Sequence, residues 1–576
     1  MNLFEQMNQF VRAQVAAINP AWPLDRITVE TPKDPAHGEM ATNAAMVLSK
    51  DAGINPRQLA EQIAEKLRAH PHVAEVTLAG PGFINLKFAP DFWRALVPEI
   101  LREGPKFGAA NIGQGEAFSV EYVSANPTGP LLASHARGAV LGEALCNLLN
   151  FIGYKVTREY YLNDYGNQVN VLAQSVYLRY REALGEAITI PENCYPGEYL
   201  MPVGAALAAR DGDKWLKAAE AEWLPVFRQF AIDEMMTLIR QDLAQLGIVQ
   251  DNVISEKKLV ESGKVQAAFD YLQSHGHIYH GVLDAPKGEL PDDWEPREQW
   301  LFRATEFGDD VDRPLKKSDG TWTYFASDVA CHYDKFRRGF KRMVNVFGAD
   351  HSGYVKRIIA VTRAVTDKQA DLDIEIVQMV RLLENGKIVR LSKRAGNLVF
   401  LSDVIERVGK DVVRLIMLTR RQDQTLDFDF AKVTEQSRDN PVFYIQYAHA
   451  RICSVLRHAA EALPHEKFDD AALADADLKL LDGTAEIAMI RKLAEWPRLV
   501  VAAALAREPH RIAFYLQELA AELHSLWTAG KDDATLRFIL PESPEKTAAR
   551  LALLRAAALV IASGLGIIGV EPAHQM

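Results

Sequence analysis

Apolar and polar positions along the chain change period several times, and each change marks an element. Leu3, Met7, Phe10 and Val11 fall on one helix face. Val73 to Phe88 instead alternates in strand fashion around Gly80-Pro81-Gly82, which forces a turn. A glycine-rich stretch, 103–116, follows as a linker. Phe118 to Val123 then reads as a strand and Asn126 to Pro130 as a loop. Leu141, Leu145, Leu148, Leu149 and Ile152 keep one face of a helix that Gly153 ends. Tyr154 to Leu162 reads as a second strand. Strand, helix and strand make a βαβ unit, which implies a parallel sheet.

A helix-rich insertion, about 170–310, interrupts this grammar, with loops at Pro191–Pro202 and Asp284–Pro296. The grammar resumes with a strand at Met343–Phe347, a helix at Gly353–Val365 and a strand at Ile374–Met379. Asn385-Gly386 is a hairpin-turn signal. From about 431 onward the pattern is almost wholly helical and reads as a bundle. The expected architecture is multidomain α/β. It comprises a small α+β unit (1–110), a Rossmann-type nucleotide-binding domain (111–385) split by the insertion, a stem with a cationic loop (386–430), and an all-α C-terminal bundle (431–576).

Composition changes little of this. The 576 residues are 48% hydrophobic and 24% charged, an ordinary balance for several globular domains. Leu551–Val570 is apolar and long enough to cross a bilayer. Arg555, Ser563 and its glycines make it a buried terminal helix instead, so no membrane partner is expected. Residues 1–20 have no signal-peptide pattern. The four cysteines show no Cys-x-x-Cys pair and no zinc-ligand spacing with histidine. They read as free thiols of a reducing cytoplasm, with no metal expected. A net charge of −11 argues against a protein coated in nucleic acid, though not against a local basic surface. Lys335, Arg337, Arg338, Lys341 and Arg342, interleaved with Phe336 and Phe340, are the candidate for that surface or simply a solvated helix face.

Four groups of residues could carry chemistry. The loop from Ser124 to Gly138 joins a strand to a helix N-terminus, where backbone N–H groups attract phosphate. His135 in its first turn is either a donor to a phosphoryl oxygen or a capping histidine. Arg390-Leu391-Ser392-Lys393-Arg394-Ala395-Gly396-Asn397 is cationic, and Lys393 suits a phosphate chain unless the run is a solvated surface. Asp350 and His351 directly follow a strand, where an acid commonly holds a ribose hydroxyl. Glu121 and Asp328 are acids that would suit a guanidinium if they face a site.

The order of these motifs resembles the bacterial arginyl-tRNA synthetases, class I enzymes, along nearly the whole chain. Pro32-Lys33 through His37-Gly38 to Asn43, and Ala79 to Asn85, resemble that family's N-terminal domain. Val120-Glu121-Tyr122-Val123-Ser124-Ala125-Asn126-Pro127-Thr128-Gly129-Pro130 follows, then Arg158-Glu159-Tyr160-Tyr161, Asn163-Asp164 and Tyr195-Pro196-Gly197. Ser318-Asp319-Gly320-Thr321 resembles its Asp-Gly-Thr turn. Leu391 to Asn397 resembles its Lys-Met-Ser-Lys-Ser loop. Asn440-Pro441-Val442 and Gln446 to Arg451 resemble the opening of its anticodon-binding bundle.

The resemblance implies ATP with Mg2+, arginine and tRNA(Arg) as what the chain handles, and a monomer. It implies that Glu121, Asn126, Tyr324 and Asp328 bind arginine. Leu132, Ser134, His135, Asp350, His351 and Lys393 would bind ATP, with His135, Ser392 and Lys393 acting on its phosphates. The chain departs from the family at the His-x-Gly-His motif, where it has Leu132-Ala133-Ser134-His135. The first histidine is missing, and Ser134 adds a Cβ where glycine lets adenine approach. Ser352 stands where a second histidine is usual. Three functions are therefore open: arginine–tRNA ligation, a paralogue that binds tRNA or arginine with weak or no adenylation, and activation of a related guanidino compound.

Overall fold

The computed structural model describes residues 2–32, 34–283, 297–389, 399–437 and 439–576. It divides into two compact units. One gathers Met1–Ala110 with Gln436–Ala506 and Arg511–Met576, and the other comprises Asn111–Glu435 with Arg507–His510.

In the first unit, β1 (Val29–Glu30), β2 (Met40–Thr42), β3 (Val73–Ala79) and β4 (Phe83–Phe88) form an antiparallel sheet in the order β1-β2-β4-β3. The β3–β4 turn falls at Gly80-Pro81-Gly82, where the sequence places it. Leu3, Met7 and Val11 are buried from one face of the helix Leu3–Ala16. The two ends of the chain share polar contacts. Trp496 Nε1 donates to the Phe107 carbonyl at 3.0 Å, and Arg491 pairs with Glu39 at 2.6 Å. Gly108 is required at this seam, because a Cβ there would lie 2.6 Å from the Trp496 ring, and its φ is +90°. Pro544–Ile568 is long and apolar enough to span a bilayer, but 78% of its most apolar stretch is buried in the bundle. It ends at Gly569 in the left-handed region, as a buried terminal helix with a glycine turn should.

The second unit carries β5 (Ala117–Glu121), β6 (Lys155–Leu162), β7 (Asn252–Ser255), β8 (Ile278–Gly281), β9 (Gln299–Phe302), β10 (Arg313–Lys316), β11 (Arg342–Gly348) and β12 (Asp371–Val377). Five of these form a parallel sheet in the order β12-β11-β5-β6-β7. This is the doubly wound arrangement in which ligands meet the carboxyl ends of the strands. β7 lies inside the insertion that reads as helix-rich. It is four residues long, too short for alternation to reveal it, and it pairs with the already formed edge of β6. β8, β9 and β10 form a separate antiparallel sheet. The hairpin signal holds: Glu384 pairs with Lys387, and Asn385 and Gly386 have φ of 49° and 76°.

Candidate active site

Three pieces of chain converge where β5 ends. The first is the loop after β5. Val123 and Ser124 have φ of 70° and 39°, an unfavourable left-handed geometry for a β-branched residue. The surroundings hold it: Tyr160 Oη donates to the Ala125 carbonyl at 2.6 Å, and Tyr199 Oη, from the insertion, donates to the Thr128 carbonyl at 2.8 Å. Gly129 lets Tyr199 approach, since a Cβ there would sit 2.9 Å from its hydroxyl. Asn126 is exposed on this loop.

The second piece is the turn Ala133–His135, which leads into the helix Ala136–Phe151. The Leu131 N–H donates to buried Asp242 at 2.8 Å. The Leu132 N–H donates to His135 Nδ1 at 2.9 Å, and Ser134 is exposed. Burial lowers the His135 pKa, against the opposing pull of Asp350. A neutral ring whose Nδ1 accepts carries its proton on Nε2, free to donate. Residues 131–133 are also stitched to the segment after the cationic loop. Ala133 N–H donates to Val399 at 3.0 Å, Leu401 N–H to Leu131 at 2.8 Å, and Leu132 bridges Phe400.

Ser392 and Lys393, with Arg390, lie outside the described residues. Asp350 and His351 occupy a 3-10 turn directly after β11. Both are exposed, 3.7 Å apart, with Asp350 close enough to act on His135.

The third piece is the helix Tyr324–Arg337. Tyr324, Asp328, His332 and Lys335 follow the spacing of one helical face, and they form a polar stripe. Tyr324 is 69% exposed, with its ring edge over Gly166. Asp328 accepts a short hydrogen bond from Tyr354 Oη. Asp328 is only partly exposed; desolvation holds its carboxyl at about 7, with the Tyr354 hydrogen bond opposing and the Glu121 charge adding to the shift. The Glu256 carboxyl, nearly buried, is also held at about 7 by burial, with Asp328 and Asp164 adding to the shift.

Behind these acids lies a buried polar wall. Lys335, with no exposed surface, bonds Glu121 Oε2 at 2.6 Å and Asn345 Oδ1 at 3.4 Å. The Asn345 amide meets His332 Nε2 at 3.1 Å, and His332 Nδ1 lies 2.8 Å from the Asp328 carbonyl. Burial and the Lys335 charge lower His332 to about 3, so its ring is neutral. Glu121 therefore has one oxygen engaged by Lys335, while Oε1 lies 3.4 Å from the Ser124 hydroxyl. Lys335 is no part of a basic surface. Arg338 binds Glu159 and Asp334, and Arg342 pairs with Asp371, so the candidate RNA-binding run is largely consumed by internal ion pairs.

Of the residues expected to bind arginine, Glu121 and Asp328 meet at this wall, Tyr324 heads the same helix and Asn126 is exposed on the loop after β5; Tyr354, Glu256, His332, Asn345 and Arg137 were not among the expected residues. His332 and Lys335 were recoverable, because they repeat at helical spacing from Asp328. Arg137 lies two residues past His135 and is 1% exposed. Its guanidinium donates to the carbonyls of Gln378 (3.1 Å), Arg421 (2.7 Å) and Gln424 (2.5 Å), fixing the helix N-terminus to the loops beyond β12.

Comparison with known proteins places these features in a lineage. Residues 5–88 match the arginyl tRNA synthetase N-terminal domain. Residues 96–190 and 299–452 match the class I (R) tRNA synthetase catalytic domain, and 445–576 the DALR anticodon binding domain. An arginine–tRNA ligase of Parvibaculum lavamentivorans is 59% identical over 96% of this chain and 95% of its own length. One of Rhodospirillum rubrum is 54% identical over the full length of both. The arginyl-tRNA synthetase structure from Thermus thermophilus, at 20% identity, superposes with a TM-score of 0.73 over all of both chains and so shares the fold.

Proposed function

Since this chain belongs to the class I arginyl-tRNA synthetase family and is an arginine–tRNA ligase, we propose the following division of labour in its cleft. Arginine is held by Glu121, Asn126, Tyr324 and Asp328. ATP lies over the Leu132–His135 turn, with Asp350 and His351 at its adenosine end and Ser392 and Lys393 closing over the pyrophosphate. Mg2+ arrives with the ATP phosphates as part of the substrate.

In the first step an arginine carboxylate oxygen attacks the α-phosphorus. The P–O bond to pyrophosphate breaks, giving arginyl-adenylate. His135 Nε2–H donates to phosphoryl oxygens as charge shifts onto them, aided by the helix N-terminus. In the second step the 2′-hydroxyl of the terminal adenosine of tRNA attacks the arginyl carbonyl and AMP leaves. No group of the protein is covalently modified, so rate comes from positioning and charge stabilisation.

The observation that carries the arginine assignment is the convergence of Glu121, Asp328 and Glu256. The Glu121 charge acts on Asp328 and that of Asp328 on Glu256, and Glu121 and Asp328 are held by Lys335 and Tyr354. A guanidinium entering there replaces repulsion with bidentate hydrogen bonds. The N-terminal domain would contact the tRNA elbow and the helical bundle its anticodon, with the enzyme acting as a cytoplasmic monomer. No feature of the relatives supports a paralogue without adenylation.

The test is Asp328→Asn in tRNA-dependent ATP–pyrophosphate exchange. Loss of a buried charged partner costs about 2–5 kcal/mol. KM for arginine should thus rise roughly thirtyfold or more, with KM for ATP nearly unchanged. Equal effects on both would remove Asp328 from the arginine pocket.

A further inference from the structure

The segment after the helix Pro544–Ile568 turns at Gly569 and returns along the helix Pro441–Ala462. Gln446 grips it twice: Nε2 donates to the Glu571 carbonyl at 2.6 Å, and Oε1 accepts from the Ala573 N–H at 2.7 Å. Arg457 adds a bond to the His574 carbonyl at 3.3 Å. The tail thereby delivers His574 to His449 and Cys453, which lie one turn apart on that helix. Cys453 Sγ is 3.7 Å from His449 Nδ1 and 3.6 Å from His574 Nδ1. The ligand atoms of all three fall within 4.8 Å of one another.

The two S···N separations match those of a metal site. With Zn–S of about 2.3 Å and Zn–N of about 2.0–2.1 Å, tetrahedral geometry sets each S···N edge at roughly 3.6 Å. We propose that His449, Cys453 and His574 bind one Zn2+, with water in the fourth position, and that the ion clamps the C-terminal tail to the bundle. One thiolate with two imidazoles suits a borderline d10 ion and disfavours Mg2+ or Ca2+, which take oxygen.

The surroundings are consistent with such an ion. His449 is buried, Cys453 half-buried and His574 exposed, so the cluster is fixed at one end and open to solvent at the other. Arg457 and Arg555 lie near the thiol, and Asp470 pairs with Arg555 at 2.6 and 2.9 Å and offsets one of the two cations. His449 Nδ1 also lies 2.8 Å from the Ala573 carbonyl. Loading the site breaks that contact: the Nδ1 proton moves to Nε2, leaving a neutral imidazole ligand, and the thiol proton leaves to solvent. The site is invisible to sequence spacing because its third ligand is 121 residues from Cys453.

The test is Co2+ titration of the intact, chelator-treated protein. One equivalent should produce a thiolate-to-cobalt charge-transfer band, and one equivalent of Zn2+ should bleach it. Cys453→Ser should abolish the band. His574→Ala, on the exposed tail where folding is not at stake, should weaken binding about tenfold or more, the least that even an outer partner of a metal ligand contributes. His458→Ala, exposed on the same helix, should leave binding unchanged. Absence of the band, a band that survives Cys453→Ser, or an affinity unchanged in His574→Ala would overturn the site.

Discussion

The backbone N–H of Leu132 donates to Nδ1 of His135, and the ring is thereby committed to presenting Nε2–H. Leu132 thus supplies an orienting amide but no side-chain donor of its own. His135→Ala should lower kcat for pyrophosphate exchange by about 10²–10³, the usual worth of one preorganised donor. KM for arginine should hardly change. Leu132→His with Ser134→Gly should raise kcat, by up to about the same factor, in both exchange and tRNA charging. A double variant no faster than wild type would place residue 132 away from the phosphates.

Asp328 and Glu256 are both held at about 7, above the ordinary carboxylate value near about 4. The folded state therefore binds extra protons between about pH 4 and 7. Their contribution to stability is complete below about pH 4 and is lost as pH rises through 7. Arginine binding runs the opposite way, because the guanidinium needs the ionised acids. Affinity should fall as pH drops below 7, by roughly tenfold per unit for one titrating carboxyl. Calorimetry at pH 7 in two buffers of different ionisation enthalpy should reveal proton release on binding. Equal heats in the two buffers would show that neither acid ionises.

Arg137 is buried against backbone carbonyls, and burial lowers its pKa to about 10, so it remains charged at neutral pH. Arg137→Met should destabilise the protein by about 3 kcal/mol, since several carbonyls lose a charged donor at once. Denaturant midpoints would measure this. A change within about 0.5 kcal/mol would mean that solvent replaces the guanidinium.

Gly142 faces Tyr122, whose hydroxyl donates to Glu143 at 2.7 Å. A Cβ on Gly142 would lie 2.2 Å from the Tyr122 ring. Gly142→Ala should cost about 1–3 kcal/mol through overpacking. Because Tyr122 is the neighbour of Glu121, it should also raise KM for arginine more than KM for ATP. Thermal unfolding beside steady-state kinetics would separate the two effects.

Legibility in the sequence followed the range of the interaction. The Asn385-Gly386 turn and the helix Ala136–Phe151 depend on neighbours a few residues away, and their patterns were readable. β7 depends on an edge formed by distant β6, and its four residues carry no signal of their own. In the candidate site, Glu121 and Asp328 were singled out through motif order. Lys335 was misjudged as a surface cation because its partner Glu121 is 214 residues away. Asp242, which fixes Leu131 from 111 residues downstream, left no local trace at all.

The wall formed by Lys335, Asn345 and His332 has a bearing on how this enzyme can be studied. His332 protonates only near pH 3, and its Glu121 partner together with other nearby charges pushes the Lys335 ammonium well above its usual range. Between pH 5 and 9 those two groups keep a constant charge, on the general scale of side-chain ionisation. The wall is thus a fixed electrostatic reference against which the front carboxylates titrate. A pH profile of arginine affinity can be assigned to Asp328 and Glu256 without correcting for the lysine and histidine behind them.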